Sequence, residues 1–211
     1  MKKHFGTKHL FTFLCAAAAL GFLSCAAGQA VHSQAAPDDA AARKAFLEAS
    51  AVLFHPRCLN CHPAGDAPTI REDMQPHMFN VKRGPDGKGA GAMNCTLCHG
   101  ATNKPGGAPG VANWHMPPET MPMIFQGRTP GELCRQLKDP KHNGGRTGAQ
   151  VIDHLDKDPL VLWGWDPGEG RTVPKMSHKE FSAKMHEWVA KGGRARSEDG
   201  SQEVGKLKSW A

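Results

Sequence analysis

Once two short cysteine pairs are set aside, this chain has almost no cysteine to spend. Seven cysteines occur in 211 residues. Cys15 and Cys25 lie in the first thirty positions, four form the pairs Cys58/Cys61 and Cys95/Cys98, and Cys134 stands alone. A lone cysteine cannot hold an iron–sulfur cluster, and pairs three apart are poorly spaced for disulfides. There is no basic run with interleaved aromatics, which sets nucleic acid aside as a partner. Between Pro63 and Pro130 there is no long strand pattern and no sustained heptad. The segment is instead rich in Gly and Pro, as in "GPDGKGAGAMN", "NKPGGAPG" and "HMPPETMPM". It cannot build a core from its own aliphatic side chains, so it stays disordered or wraps something rigid and apolar.

The first apolar run, "LFTFLCAAAALGFL", is too short and too poorly flanked to be a stable membrane span. Preceded by "MKKHFGTKH" and followed by small residues, it reads as a signal peptide over residues 1–30. Two cleavage readings stand. One cuts near Ala30; the other cuts before Cys25 in "FLSC" and would tether the chain to a membrane by a lipid. The leader holds Lys2, Lys3 and Lys8 and no acid, so its removal takes the formal charge from +6 to +3. The expected location is the periplasm.

Residues 31–37 read as a disordered lead-in and 194–211 as a flexible charged tail. Between them, residues 38–193 form the expected folded domain. A helix is predicted over "DDAAARKAFLEASAVLFHPR", capped by Asp38 or Asp39, with Phe46, Leu47, Ser50, Leu53 and Phe54 on its inner side. Further helices are expected in "TPGELCRQLKDP", stopped by Pro140, and in "RTGAQVIDHLDKDP". "LVLWGWDPGEGR" reads as an apolar turn in which Trp163 and Trp165 pack. A last helix, capped by Ser177, carries Phe181, Met185, Trp188 and Val189 on one face.

What the chain does have is a repeat. "CLNCH", Cys58 to His62, returns 37 positions later as "CTLCH", Cys95 to His99. C-x-x-C-H is the attachment signature of c-type haem. Two thiols three apart on one helical turn share a face. They can add to the two vinyl groups along one porphyrin edge, and the next residue brings an imidazole to the iron. Zinc held by four cysteines and a redox dithiol are the competing readings; neither explains a histidine after each pair. The cofactors expected are two covalent haem c groups with their iron. Cys58, Cys61, Cys95 and Cys98 are the attachment residues, and His62 and His99 the proximal ligands. Haem propionates would offset most of the mature positive charge.

Only 32 residues separate His62 from Cys95, too few for a complete cytochrome c domain. The expected fold is therefore mainly α with extensive loops: cytochrome c-like helices wrapped around two haems that share one domain. Distal candidates are Met121 and Met123 in a proline-braced loop, His77 between the motifs, and His154 on a helix. Met ligation would raise the potential, whereas a Met that only packs on a ring face would not. His115 and Met116 rank behind these. His55, His142, His178 and His186 read as surface or packing residues. Cys134 is either a small buried apolar residue or a thiolate ligand to haem.

"GRTPGELCRQLKDP", "NGGRT", "DPLVLWGWDPGEGRT" and "GPDGKGAGAMNCTLCHG" add a narrower signal. From Phe54 to Gly192 the chain resembles small bacterial di-haem proteins labelled as a subunit of isoquinoline 1-oxidoreductase. The resemblance implies redox partner proteins, among them a molybdenum hydroxylase of the xanthine-oxidase type. It also implies roles for Met121, His77 and His154, whose matching positions recur in such proteins. The adjacent Met123 departs from that pattern. The expected function is an electron carrier, taking electrons from a partner dehydrogenase or oxidoreductase to the respiratory chain. A haem enzyme with an open or labile iron site, such as a peroxidase or a sulfur-compound dehydrogenase, is the alternative.

Overall fold

A computed structural model describes residues 38–168 and 170–192. The leader, the lead-in, Cys15, Cys25 and the tail from 194 lie outside the described residues.

Among the described residues, six α-helices carry most of the regular structure: α1 Asp39–Leu53, α2 Pro56–Leu59, α3 Pro130–Lys138, α4 Gly148–Lys157, α5 Pro159–Leu162 and α6 His178–Lys191. Their starts are set by side chains. Asp38 Oδ1 accepts from the Ala41 N–H at 3.0 Å. Thr129, Thr147 and Ser177 each form a reciprocal box with Glu132, Gln150 and Glu180. Each box satisfies amide groups that a helix start otherwise leaves unpaired. The only sheet among the described residues is a two-stranded antiparallel hairpin, β1 Thr69–Ile70 against β2 Gln75–Pro76.

α1 and α6 run antiparallel, tied at one end by the Asp38 N–H donating to the Lys191 carbonyl at 2.8 Å. The inner face of α1 is Ala42, Ala45, Phe46, Ala49, Ser50, Val52 and Leu53. This corrects the predicted face at one position, because Leu47 is half exposed. The small alanines do what Leu47 was expected to do. They let Phe181, Met185 and Trp188 of α6 approach closely, and Trp188 meets Phe46 with ring centroids 5.1 Å apart. α3 and α4 close this core with Leu133, Leu137, Val151, Ile152 and Leu155. Val189 sits at its edge, partly buried.

From His62 to Thr129 the chain is mostly loop, knitted by backbone hydrogen bonds between distant segments. The Met116 N–H donates to the Gly87 carbonyl at 2.8 Å, and the Cys95 N–H donates to the Lys88 carbonyl at 2.8 Å. Gly87 is required there: its φ is +79°, and a Cβ would lie 1.9 Å from the Met116 oxygen. Arg83 anchors the same loops. Its guanidinium is buried and donates to the carbonyls of Pro117, Pro122 and Gly65 at 2.7, 3.2 and 3.1 Å.

Candidate functional site

The two C-x-x-C-H segments fold into the same turn although their surroundings differ. The His62 N–H donates to the Cys58 carbonyl at 3.1 Å and the His99 N–H to the Cys95 carbonyl at 3.0 Å. The Cys61 and Cys98 amides reach those same two carbonyls at 3.2 and 3.3 Å. The first turn grows out of α2, where Pro56 and the His55 ring nitrogen stabilise the start. The second is a 3-10 turn, Cys95–Leu97, begun by Asn94, whose side chain accepts from the Thr96 N–H.

The histidines that close these turns are held alike. His62 Nδ1 lies 2.6 Å from the Met123 carbonyl oxygen, and His99 Nδ1 lies 2.7 Å from that of Pro109. A carbonyl only accepts, so Nδ1 carries the proton in both and Nε2 keeps its lone pair. Each ring also stacks on an aromatic: His62 on Phe125 at 3.9 Å and 2°, His99 on Trp114 at 4.3 Å and 6°. Burial pushes His62 down to about 4 and His99 in the same direction, so both imidazoles are neutral. A neutral ring whose Nδ1–H is fixed by a carbonyl is the state in which histidine serves a metal.

Beside the first turn lies a cleft of about 380 Å³. Cys58, Cys61 and His62 form part of its wall, with Met121, Met123, Phe125, His154, Trp163 and Trp165 around it. Val52, Leu53, Leu137, Val151, Leu155 and Phe181 contribute the edge of the helical core. Burial raises the Cys58 thiol to about 12 and the Cys61 thiol to about 11, with the Cys95 charge the next contribution at Cys61. Thiols so disposed are poor thiolates, the opposite of a redox dithiol. Nor do the described residues bring three of His, Cys, Asp or Glu together as an ion site, which a four-cysteine zinc centre requires.

A c-type haem suits what is present. It needs two thiols and one imidazole on a single turn, an apolar slot and few further ligands. The slot also contains a buried donor without a partner, Nε of Arg57. Its terminal nitrogen meets Glu72 at 2.7 Å, and the guanidinium lies 6.0 Å from the centre of the Trp163 ring. At the second turn, Leu97 is 69 % exposed, and Met78 and Phe79, which follow His77, are 58 % and 72 % exposed. Apolar side chains left this open fit a flat apolar group better than they fit water.

The other predicted residues fall into place around these turns. Met121 and His154 both line the first cleft. His154 Nδ1 lies 3.1 Å from Asp158 Oδ2, and the charge on His154 contributes to the lowered value at His62. Met123 supports His62 from behind through its backbone carbonyl, with φ at 46°. His77 lies beside His99. His115 and Met116 line the first cleft. His55 accepts the Arg57 N–H on Nδ1, His178 meets the Leu155 carbonyl through Nε2, and His186 meets Asp156 through Nε2. His142 is exposed and bonded to Asp139. Cys134 packs against the helical core, its thiol pushed up by burial, and is not part of the cleft wall.

Sequence reasoning missed Phe125, Trp114, Arg83 and Asn103. Asn103 accepts from Trp163 Nε1 at 2.9 Å and from the Gly110 N–H at 3.0 Å, joining the loop after the second motif to the first cleft. Trp114 meets Trp163 edge to face at 4.9 Å, so aromatic contacts run from His99 to the first cleft. A tryptophan 15 residues after the second motif was a visible signal; a buried Arg among carbonyls was not.

No family, curated protein or solved structure was found that matches the chain. Among the described residues no helix is long and apolar enough to cross a membrane.

Proposed function

We propose that this chain is a periplasmic di-haem cytochrome c that carries electrons. Cys58, Cys61 and His62 would hold one haem, and Cys95, Cys98 and His99 the other. The observation that carries the reading is the matched state of His62 and His99. Two turns of different sequence context each present a neutral imidazole, pinned through Nδ1 to a loop carbonyl and backed by an aromatic ring.

When bound, haem iron supplies one-electron oxidation and reduction. The chain's own residues do the rest. The four cysteines attach the groups so that they are not lost to the medium. The carbonyls of Met123 and Pro109 orient the proximal rings and make them better donors. Phe125 and Trp114 cover those rings and keep water from them. The aromatic contacts from His99 through Trp114 to Trp163 in the first cleft support a short two-haem relay.

Donor and acceptor are redox partner proteins. A partner dehydrogenase or oxidoreductase, such as a molybdenum hydroxylase, would feed electrons toward the respiratory chain, as the family resemblance implies. The described residues contain no cluster-binding cysteine set, so this chain would be the electron exit of such an assembly. If cleavage falls before Cys25, a lipid would tether it to the membrane. Carbon monoxide added to the reduced, haem-loaded chain tests the carrier reading: slow or absent binding is expected, and rapid binding at an open iron contradicts it.

A further inference from the structure

His77 and His99 have ring centroids 6.1 Å apart, with planes 53° to one another. Direct stacking brings rings closer, as His99 and Trp114 do at 4.3 Å. Two imidazoles on opposite sides of one metal ion, each at a metal–nitrogen distance of about 2 Å, have centroids about 6 Å apart. The observed separation is longer than a face-to-face stack, within the range of tilted ring contacts, and matches the length a shared ion requires.

The tautomers agree with this. His99 Nδ1 is engaged by the Pro109 carbonyl and His77 Nδ1 by the Met78 carbonyl at 2.8 Å. Both rings therefore hold their proton on Nδ1 and have Nε2 available. His62, His115, His142 and His154 are also engaged through Nδ1, whereas His55 accepts an N–H there and His178 and His186 commit Nε2; of the described histidines, His77 is the one whose ring lies beside that of His99.

The backbone around His77 turns sharply on both sides. His77 leaves β2 with its N–H donating to the Pro68 carbonyl at 3.2 Å. Arg71, Met74, Phe79 and Asn80 all have positive φ, at 63°, 54°, 62° and 49°. Bulky residues rarely adopt that region, and where they do the position is held for a reason. Met78 and Phe79, which follow His77, and Leu97, two residues before His99, leave apolar side chains exposed.

We propose that His77 is the second protein ligand of the iron held through Cys95, Cys98 and His99, giving that haem two imidazoles. The proposal rests on the two-haem reading above. It makes the second haem the lower in potential if the first takes a thioether, since methionine in place of histidine raises the potential.

The test uses the full chain matured with c-type haem, with near-infrared magnetic circular dichroism and electron paramagnetic resonance on the ferric protein. In His77→Ala, half of the haem is expected to become high-spin, and half of the reduced haem to bind carbon monoxide. Added imidazole should restore the low-spin state. His142→Ala, an exposed control, should leave the spectra unchanged. If His77→Ala matures poorly, His77→Met decides: a thioether-to-iron charge-transfer band or loss of the low-spin state supports the assignment, and an unchanged spectrum overturns it. Two haems per chain with no spin change in His77→Ala overturns the ligand while leaving the two-haem reading intact. Fewer than two haems in the unaltered chain overturns that reading itself.

Discussion

The ring of His62 lies 3.9 Å from the ring of Phe125, and their planes differ by 2°. The contact is reinforced by the backbone, because the Phe125 N–H donates to the His62 carbonyl at 3.0 Å. Phe125 is buried, so its removal opens a cavity against His62. Phe125→Ala is expected to cost about 3–5 kcal/mol of stability, and Phe125→Leu less. Guanidinium unfolding of the haem-loaded chain checks this. A loss under about 0.5 kcal/mol for the alanine variant would mean that the stack contributes nothing.

Arg83 tests the loops. Its guanidinium satisfies three carbonyls from segments far apart in the chain. Arg83→Met keeps most of the volume but leaves buried acceptors without a donor, at a cost of about 1–3 kcal/mol for each carbonyl that water cannot reach. Arg83→Lys keeps the charge and loses the planar fork, so it should recover only part of the loss. Urea unfolding midpoints that rank the native chain, the Lys variant and the Met variant in any other order contradict this role.

The four longer helices were legible in the sequence, although the first was read on through Arg57 where α1 stops at Leu53, and α5 was read as a turn; the loops were not, for a physical reason. Ser177, Thr129 and Thr147 announce helix starts because a cap is a local interaction between residues three apart. Leu47 was misplaced because a period alone cannot tell which side of a helix its neighbour covers; alanines at Ala42, Ala45 and Ala49 settled that. The C-x-x-C-H turns were legible for the same local reason as the caps. The supports of His62 and His99 were not, since the Met123 carbonyl is 61 residues from His62 and any backbone carbonyl could have served. Among the distal candidates, the resemblance put Met121, His77 and His154 ahead of Met123, without saying which iron each would face. Met123 lines the cleft as Met121 and His154 do, but its carbonyl sits on Nδ1 of His62, the side of the ring away from Nε2, and that separates it from the other two.

The first cleft offers two candidates for the face opposite His62. Of the single variants Met121→Ala and His154→Ala, one and not both is expected to turn the first haem high-spin and open it to carbon monoxide. Loss of a thioether charge-transfer band would identify Met121. If neither variant alters a spectrum, the cleft wall has been assigned wrongly.

The packing of α1 on α6 has an acid-sensitive contact. Lys184 of α6 and Lys44 of α1 both reach Glu48, at 2.6 and 2.5 Å, and hold its carboxyl down from an ordinary 4.5 to about 2. Because the folded-state value lies below the unfolded one, the contribution is present above about pH 4.5 and is lost as pH falls toward 2. The site is open to solvent, so salt weakens it. Glu48→Gln should therefore narrow the difference in unfolding midpoint between pH 5 and pH 3 at low salt. An unchanged pH profile would remove Glu48 from the account.

The central claim is that Cys58, Cys61, Cys95 and Cys98 carry two haems covalently. Intact-mass measurement of the chain after export through a c-type maturation system tests it most directly, paired with a pyridine haemochrome spectrum. The expected result is a mass increased by two haems that survives acidic organic solvent. Cys95 and Cys98 replaced together by Ala should leave one haem. A matured chain without added haem mass, or with haem that the solvent extracts, contradicts the account.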